Sequence, residues 1–254
     1  MAKTALLFAG QGAQVVGMGW DLAESHPTAK ALFTQADEAL GYGLSEICFS
    51  GPEEELVRTE HAQPAIYLVG WVALQLLREQ APSLAFDATA GLSLGEFTAL
   101  AAADALGFED GLRVVRRRGE VMQHACEASA GGMAAIVGLD EEAVRDVCGQ
   151  AGVSLSNLNC PGQIVISGDA DKMEAACDAA KAAGAKRAIP LPVAGAYHSP
   201  LMQPAQAGLA EALAKVELRE PSLPVYSNVT GQAHAAAGTI ADTLVDQVTS
   251  PVKW

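Results

Sequence analysis

Short apolar runs alternate with longer segments in which apolar residues recur every three or four positions. Apolar runs of four to eight residues are typical of buried strands, and the longer spacing is typical of helices. Proline at a helix start and glycine just after its end mark several boundaries. The first half of the chain therefore predicts strands at residues 4–9 and 86–90 and helices at 27–40, 64–80 and 109–128.

The middle of the chain has a different rhythm, in which two strands follow each other around an Asn-Cys-Pro-Gly turn. Its order, β-α-β-β-α-β, is the ferredoxin-like pattern. We therefore predict an α/β fold in which a ferredoxin-like subdomain, residues 130–194, is inserted into a large α/β-hydrolase-like parallel-sheet subdomain, residues 1–129 and 195–254. The segments predicted from residue 130 onward are strands at 133–137, 153–157, 163–167, 186–191 and 225–227 and helices at 141–150, 172–183, 200–215 and 240–248.

Composition excludes several classes of protein. The formal net charge of −14 argues against nucleic-acid binding, because phosphate contacts require Lys and Arg. No apolar run is long enough for a membrane span, and the start of the chain lacks the features of a secretory signal. The five cysteines are dispersed without a CxxC pair, which favours reduced thiols over disulfides or zinc. We expect a cytoplasmic protein that binds no metal.

A candidate nucleophile lies at residues 91–95, where Gly-Leu-Ser-Leu-Gly forms a GxSxG motif. The motif follows a predicted strand and precedes a predicted helix, which is the context it requires. A sharp strand-to-helix turn exposes the central side chain, and the helix N-terminus supplies backbone N–H groups for an oxyanion. The motif therefore predicts Ser93 as a nucleophile.

A serine hydroxyl needs a base to react at neutral pH, and histidine is the usual one. His198 lies in a turn between a predicted strand and a helix that starts at Pro200, and loops of this kind often carry function. We predict the other four histidines to be surface residues: His26, His61, His124 and His234.

Several separated motifs agree with one family. The chain resembles malonyl-CoA:acyl carrier protein transacylases, including the acyltransferase domains of fatty acid and polyketide synthases. The motifs include FAGQGAQ, GLSLGEF, GGMAAIVGL, NLNCPGQIVISG and AYHSPLM, and their order along the chain is specific to the family. The matching segments are residues 8–19, 63–65, 91–97, 117–123, 131–139, 157–168, 196–202 and 247–254.

The resemblance implies the roles of five residues. It makes Ser93 the nucleophile and His198 the general base. It implies that the backbone carbonyl of Gln247 orients the histidine, so that a dyad replaces the usual triad. It also implies that the backbone N–H groups of Gln11 and Leu94 form the oxyanion hole.

The resemblance also implies how the substrate is bound. Arg118 matches the arginine that binds the free malonyl carboxylate, and Gln63 lies near the same site in the family. A guanidinium presents a rigid fork of donors that a carboxylate can accept bidentately. An aromatic residue before the histidine accompanies malonyl selection in the synthase domains, so Tyr197 predicts malonyl over methylmalonyl.

The activity implied is ping-pong transfer of malonyl from malonyl-CoA to the phosphopantetheine thiol of acyl carrier protein, without a metal or redox cofactor. We expect a monomer that acts on no nucleic acid or membrane. Carrier proteins of this type are acidic, as is this chain, so a local basic patch would have to steer docking. Two candidate patches are Lys181 with Lys186 and Arg187, and Arg113 with Arg116 and Arg117.

Two features depart from the family. Leu92 replaces the histidine that usually precedes the nucleophile, and relatives usually continue past the position of Trp254 with another strand and helix. A missing strand would leave an exposed sheet edge in the large subdomain. Two other functions remain open: an α/β-hydrolase-type thioesterase, and a catalytically inactive interaction module. The pathway, fatty acid or polyketide, also remains open.

Overall fold

The structure is a computed structural model that describes residues 3–254. The chain folds into two compact units. The first contains the described residues up to Glu120 together with 208–227 and 232–241, and the second contains 121–207, 228–231 and 242–254. Within the described residues, every helix is too short or too polar to cross a bilayer.

The first unit is built on a three-stranded parallel sheet in the order β1-β2-β7. Its strands are β1 (Ala5–Phe8), β2 (Ala88–Gly91) and β7 (Val225–Tyr226). Its helices include α1 (Trp20–Ser25), α2 (Pro27–Leu40), α3 (Leu44–Ser50), α4 (Glu53–Leu56), α5 (Thr59–Gln80) and α6 (Gly95–Ala102). Three further helices contribute to both units: α7 (Phe108–Glu127), α10 (Gln203–Leu213) and α11 (Ala237–Gln247).

The boundaries of α2 follow its local sequence signals, whereas the start of α5 does not. Helix α2 begins at Pro27 and ends before Gly41, whose φ of 74° is one that glycine adopts without strain, as predicted. Helix α5 begins at Thr59, five positions before the predicted start at Pro64, which lies inside it. Proline fixes a helical φ and removes a single hydrogen bond near the helix start, and burial of the first turns of α5 offsets that loss.

The second unit has a five-stranded sheet in the order β6-β3-β5-β4-β8. The first four strands pair antiparallel in the ferredoxin-like order, which confirms the predicted fold class. Helices α8 and α9 pack on this sheet around a core that includes Ile136, Val144, Ile166 and Ala176. The elements are β3 (Gly131–Val137), α8 (Glu141–Ala151), β4 (Ser154–Cys160), β5 (Gln163–Asp169), α9 (Met173–Ala182), β6 (Arg187–Pro190) and β8 (Val252–Lys253).

Strand β8 widens the second unit beyond the predicted insertion at 130–194. It pairs parallel with β4, with Asn157 opposite Val252, and so places the last residues of the chain on the sheet of this unit. A two-residue strand gives almost no periodic signal, so the sequence did not reveal this pairing.

Candidate active site

The GxSxG segment forms the turn between β2 and α6. Ser93 has φ of 52°, in the left-handed region that non-glycine residues rarely occupy. Such strain persists only where the surrounding structure holds it. A Cβ on Gly91 would overlap the carbonyl group of Gly95, and a Cβ on Gly95 would lie 2.5 Å from the Phe8 carbonyl oxygen. The two glycines therefore allow α6 to start directly against the strands.

The start of α6 lies beside the loop that carries Gln11. A Cβ on Gly10 would lie 2.5 Å from the Leu92 carbonyl oxygen, so this loop passes against the nucleophile turn. The Gln11 side chain donates from Nε2 to Thr59 Oγ1 at 3.5 Å. Leu94 is fully buried and precedes the helix, where backbone N–H groups have no intrahelical acceptor. Gln11 and Leu94, the residues predicted to form the oxyanion hole, therefore lie in two neighbouring segments of the first unit.

The backbone at Leu92 explains how the turn forms without the usual histidine. The Leu92 N–H donates to the Phe8 carbonyl at 3.1 Å, and the Leu92 carbonyl accepts from the Gly95 N–H at 2.9 Å. Both bonds involve main-chain atoms. The shape of the turn therefore does not require a histidine side chain at this position.

Arg118 is the polar centre of the site in the first unit. Arg118 belongs to α7, and the residue is only 1% exposed. Nη1 donates to Gln63 Oε1 at 2.7 Å, and Nη2 donates to Ser93 Oγ at 3.0 Å. The guanidinium carbon lies 5.4 Å from the centre of the Phe97 ring, within the range of a cation–π contact. The structure thus brings the predicted nucleophile and the predicted carboxylate-binding residue into direct contact.

A close approach of two helices positions this arginine. A Cβ on Gly119 would lie 2.6 Å from the Thr59 carbonyl oxygen, so α7 passes against the start of α5 at this point. Gln63 lies one turn further along α5, and this brings its amide to Arg118. Burying a guanidinium is costly, and such groups are retained mainly where their hydrogen bonds are used.

His198 lies in the second unit with its own fixed partner. The residue is 4% exposed, and its Nδ1 lies 2.8 Å from the carbonyl oxygen of Gln247. A carbonyl can only accept, so Nδ1 carries the proton and Nε2 of the neutral ring keeps its lone pair. Gln247 ends α11, where partial negative charge favours the imidazolium that forms when Nε2 accepts a proton. His198 also has a positive φ, 56°.

Tyr197 is held from both its backbone and its ring. Its carbonyl accepts a hydrogen bond from Ser156 Oγ at 3.0 Å, and the residue is 8% exposed. Its side chain also hydrogen-bonds the thiol of Cys126. Burial raises the pKa of that thiol, and the bond to Tyr197 opposes the rise. Tyr197 therefore has a fixed position immediately before His198.

Several residues around these sites were not singled out by the sequence. Phe97 lies within the GLSLGEF motif, but nothing in the motif shows that its ring lies under Arg118. Glu96 and His234 form a buried pair in the first unit. The prediction of a surface histidine is wrong for His234, whose side chain is 2% exposed. His234 lies in an alanine-rich segment, and this local sequence does not indicate that its partner is Glu96, 138 positions away.

Comparison with known proteins identifies the chain. A family profile described as "Acyl transferase domain" matches residues 5–254, so the strained serine turn and the fold around it belong to a protein of the acyl transferase class. The malonyl CoA-acyl carrier protein transacylase of Bacillus subtilis (strain 168) is 46% identical over 259 residues, covering all of this chain and 81% of the relative. The Escherichia coli (strain K12) protein of the same name is 43% identical, covering all of this chain and 83% of the relative.

Solved structures agree. The malonyl CoA-acyl carrier protein transacylase of Coxiella burnetii superposes with a TM-score of 0.95 at 38% identity, covering 99% of this chain and 81% of that one. A malonyl-transacylase in complex with a type II polyketide synthase acyl-carrier protein superposes with a TM-score of 0.94 at 40% identity, covering 100% and 83%. The chain belongs to the malonyl CoA-acyl carrier protein transacylase family. These findings support the acyltransferase interpretation over the thioesterase and the inactive module.

Proposed function

We propose that this protein transfers a malonyl group from malonyl-CoA to the phosphopantetheine thiol of an acyl carrier protein through an ester on Ser93. The observation that carries the proposal is the 3.0 Å hydrogen bond from Arg118 Nη2 to Ser93 Oγ. A malonyl group on that oxygen has its free carboxylate one methylene beyond the ester carbonyl. A buried guanidinium beside Oγ is therefore within reach of the carboxylate and can bind it bidentately.

In the first half-reaction, Ser93 Oγ attacks the thioester carbonyl as His198 Nε2 accepts its proton. The bond to the Gln247 carbonyl keeps His198 in the tautomer that this step needs. We assign the backbone N–H groups of Gln11 and Leu94 to the oxyanion, since preorganised donors of this kind commonly lower the barrier most. The imidazolium then gives its proton to the sulfur of coenzyme A, which leaves as the thiol.

In the second half-reaction, the carrier thiol replaces coenzyme A. His198 accepts the thiol proton while the sulfur attacks the Ser93 ester, and the proton returns to Oγ as the serine leaves. Gln63 supports this cycle by holding Arg118 Nη1, so that the guanidinium keeps its orientation when the acyl group arrives. The ester must be shielded from water between the two steps, because hydrolysis competes with transfer.

Tyr197 provides a basis for selection between acyl groups. The hydrogen bond from Ser156 Oγ holds its backbone carbonyl, and the hydrogen bond with the Cys126 thiol holds its side chain. A fixed ring beside the general base leaves little space for an α-methyl branch, so we assign malonyl rather than methylmalonyl as the substrate. A packed pocket discriminates one methyl group by about 1–3 kcal/mol.

The remaining assignments follow from the chemistry and the thiols. Ester formation and transthioesterification by a Ser–His pair require no metal or redox cofactor. All five cysteines are unpaired in the structure, and four are buried. Free thiols are typical of a reducing compartment, so we place the protein in the cytoplasm. We further propose that it acts as a monomer.

Intact-mass spectrometry after mixing with malonyl-CoA tests the proposal. We expect a malonyl adduct on the wild-type protein, no adduct on Ser93→Ala, and a much slower adduct on His198→Ala. Adding holo-carrier protein should move radiolabelled malonyl to the carrier. Release of the label as free malonate would instead show a thioesterase, and no adduct at all would show an inactive module.

A further inference from the structure

A buried pair of titratable side chains, His234 and Glu96, takes no part in the proposed mechanism. His234 Nε2 lies 2.8 Å from Glu96 Oε1, and the two side chains are 2% and 0% exposed. A buried carboxylate is costly unless it is hydrogen-bonded or paired. Buried pairs of this kind add little net stability compared with apolar residues of the same shape. The pair therefore calls for an explanation other than stability.

Glu96 lies in the helix that carries the nucleophile. All eight residues of α6 are buried, and Glu96 is its one charged residue among Gly, Ala, Leu, Phe and Thr. The Glu96 N–H donates to the Ser93 carbonyl at 3.1 Å, so these residues share one turn of backbone. Phe97, the next residue, contacts the Arg118 guanidinium. A shift of α6 would therefore move both the nucleophile and the support of the carboxylate-binding residue.

The backbone of His234 is hydrogen-bonded to strand β7. Its N–H donates to the Val225 carbonyl at 2.9 Å, and Ala233 bridges to Tyr226 in β7. Strand β7 pairs with β2, with Thr89 opposite Val225. Strand β2 is the strand that leads into Ser93. Strand β2 leads into the serine turn and Glu96, Glu96 contacts His234, and His234 is hydrogen-bonded to β7, which pairs with β2. These contacts therefore connect the two ends of the same structural unit.

We propose that His234 and Glu96 are positioning residues for acyl transfer, which fix α6 so that Ser93 and Arg118 keep their alignment. Apart from Glu96 and Thr98, the residues of α6 are apolar, and apolar packing is not directional. The bond between His234 and Glu96 is directional and buried, so it contributes to the orientation of the helix in a way that apolar packing cannot.

Single-turnover acylation of Ser93 by malonyl-CoA tests this inference, which rests on the proposed function. His234→Ala should lower the acylation rate constant about ten- to a hundred-fold, the scale expected for a misaligned nucleophile, with little change in substrate affinity. His234→Gln places an amide nitrogen near the position of Nε2 and should restore the rate to within a few-fold. His124→Ala, a change at an exposed histidine, is the matched control and should behave as wild type.

The outcomes separate the two proposals. If wild-type protein forms no adduct, the proposed function fails. If wild type acylates and folded His234→Ala does so equally fast, the positioning role fails while the function stands. Equal slowing in the Ala and Gln variants, matched by a lower folded fraction, would show a purely structural role and also overturn it. Should His234→Ala not fold, the comparison of His234→Gln with the shorter His234→Asn decides, because equal rates in these two would overturn the inference.

Discussion

Arg118 donates from Nη2 to Ser93 Oγ across 3.0 Å while its other terminal nitrogen is held by Gln63. The guanidinium thus lies beside the oxygen atom proposed to carry the acyl group. The same contact makes the nucleophile and the acyl-binding residue one hydrogen-bonded unit, and the selectivity of the enzyme should depend on it.

Removing the guanidinium should change which acyl group is used. Arg118→Met keeps an apolar stem of similar length but loses two charge-assisted hydrogen bonds to a carboxylate. Such bonds are worth about 1.5–3 kcal/mol each, so kcat/KM for malonyl-CoA should fall at least about a hundred-fold. Activity with acetyl-CoA should fall much less, because the acetyl group has no free carboxylate for the guanidinium to bind. Arg113→Ala, at an exposed position of α7, is the control, and equal losses with both substrates would contradict the prediction.

Replacement of Gly95 at the serine turn should destabilise the protein, in contrast to replacement of Gly149 in α8. In Gly95→Ala the added methyl would lie 2.5 Å from the Phe8 carbonyl oxygen, so α6 or the strand must move. We expect a loss of about 1–3 kcal/mol in the free energy of unfolding together with slow acylation.

The matched control is Gly149→Ala within α8. An added Cβ there meets no atom within 4 Å, so we expect a gain of about 0.5–1 kcal/mol from helix propensity. Urea unfolding of the two variants measures both effects, and a neutral Gly95→Ala would contradict the close packing described here.

Stability should fall in alkaline solution because buried thiols resist ionisation. Burial raises the pKa of Cys48 from 9.0 to about 12 and that of Cys148 to about 11. Above pH 9 the unfolded thiol releases its proton while the folded one keeps it, so rising pH favours unfolding. The contribution of Cys48 is complete below pH 9 and is lost as the pH rises towards 12, by at most about 1.4 kcal/mol per pH unit.

Denaturant unfolding between pH 8 and 10.5 measures this slope. Cys48→Ala should flatten the decline, although the cavity lowers its stability at every pH. Cys160→Ala, which changes the exposed thiol, should leave the slope as in wild type. Identical slopes in the two variants would show that the Cys48 thiol is not the cause.

The structure distinguishes the two basic patches considered for carrier docking. Arg113 pairs with Glu109 at 2.6 Å, and Arg116 and Arg117 both pair with Glu120. Lys181 pairs with Asp178 at 3.1 Å. Among residues 3–254, the ion pairs of the structure include neither Lys186 nor Arg187. These two cations therefore keep their charge available to an acidic partner.

Charge reversal should accordingly have its larger effect at Lys186 and Arg187. The double change Lys186→Glu with Arg187→Glu should raise the KM for carrier protein about five- to ten-fold at low salt, since rim charges act on encounter. Acylation of Ser93 by malonyl-CoA should be unchanged. Reversal of Arg113 and Arg117 should do less. A KM for carrier protein that is insensitive to both double changes would exclude these patches as docking surfaces.

The sequence by itself determined what depends on neighbouring residues. The GxSxG turn was predictable because glycines at two fixed positions permit a strained serine between a strand and a helix. The ferredoxin-like unit was predictable because hydrophobic periodicity marks each of its elements. The likeness of separated motifs to one family gave the expected roles of Ser93, His198 and Arg118, and the first and last of these were found in contact.

Only the tertiary structure decided the relationships between distant positions. It alone showed the pairing of β8 with β4, the ring of Phe97 against Arg118, and the neutralisation of one basic patch by its own carboxylates. The prediction for His234 was wrong for the same reason. Burial and hydrogen bonding are set by whatever the fold brings together, and a residue 138 positions away leaves no trace in the local pattern of polar and apolar side chains.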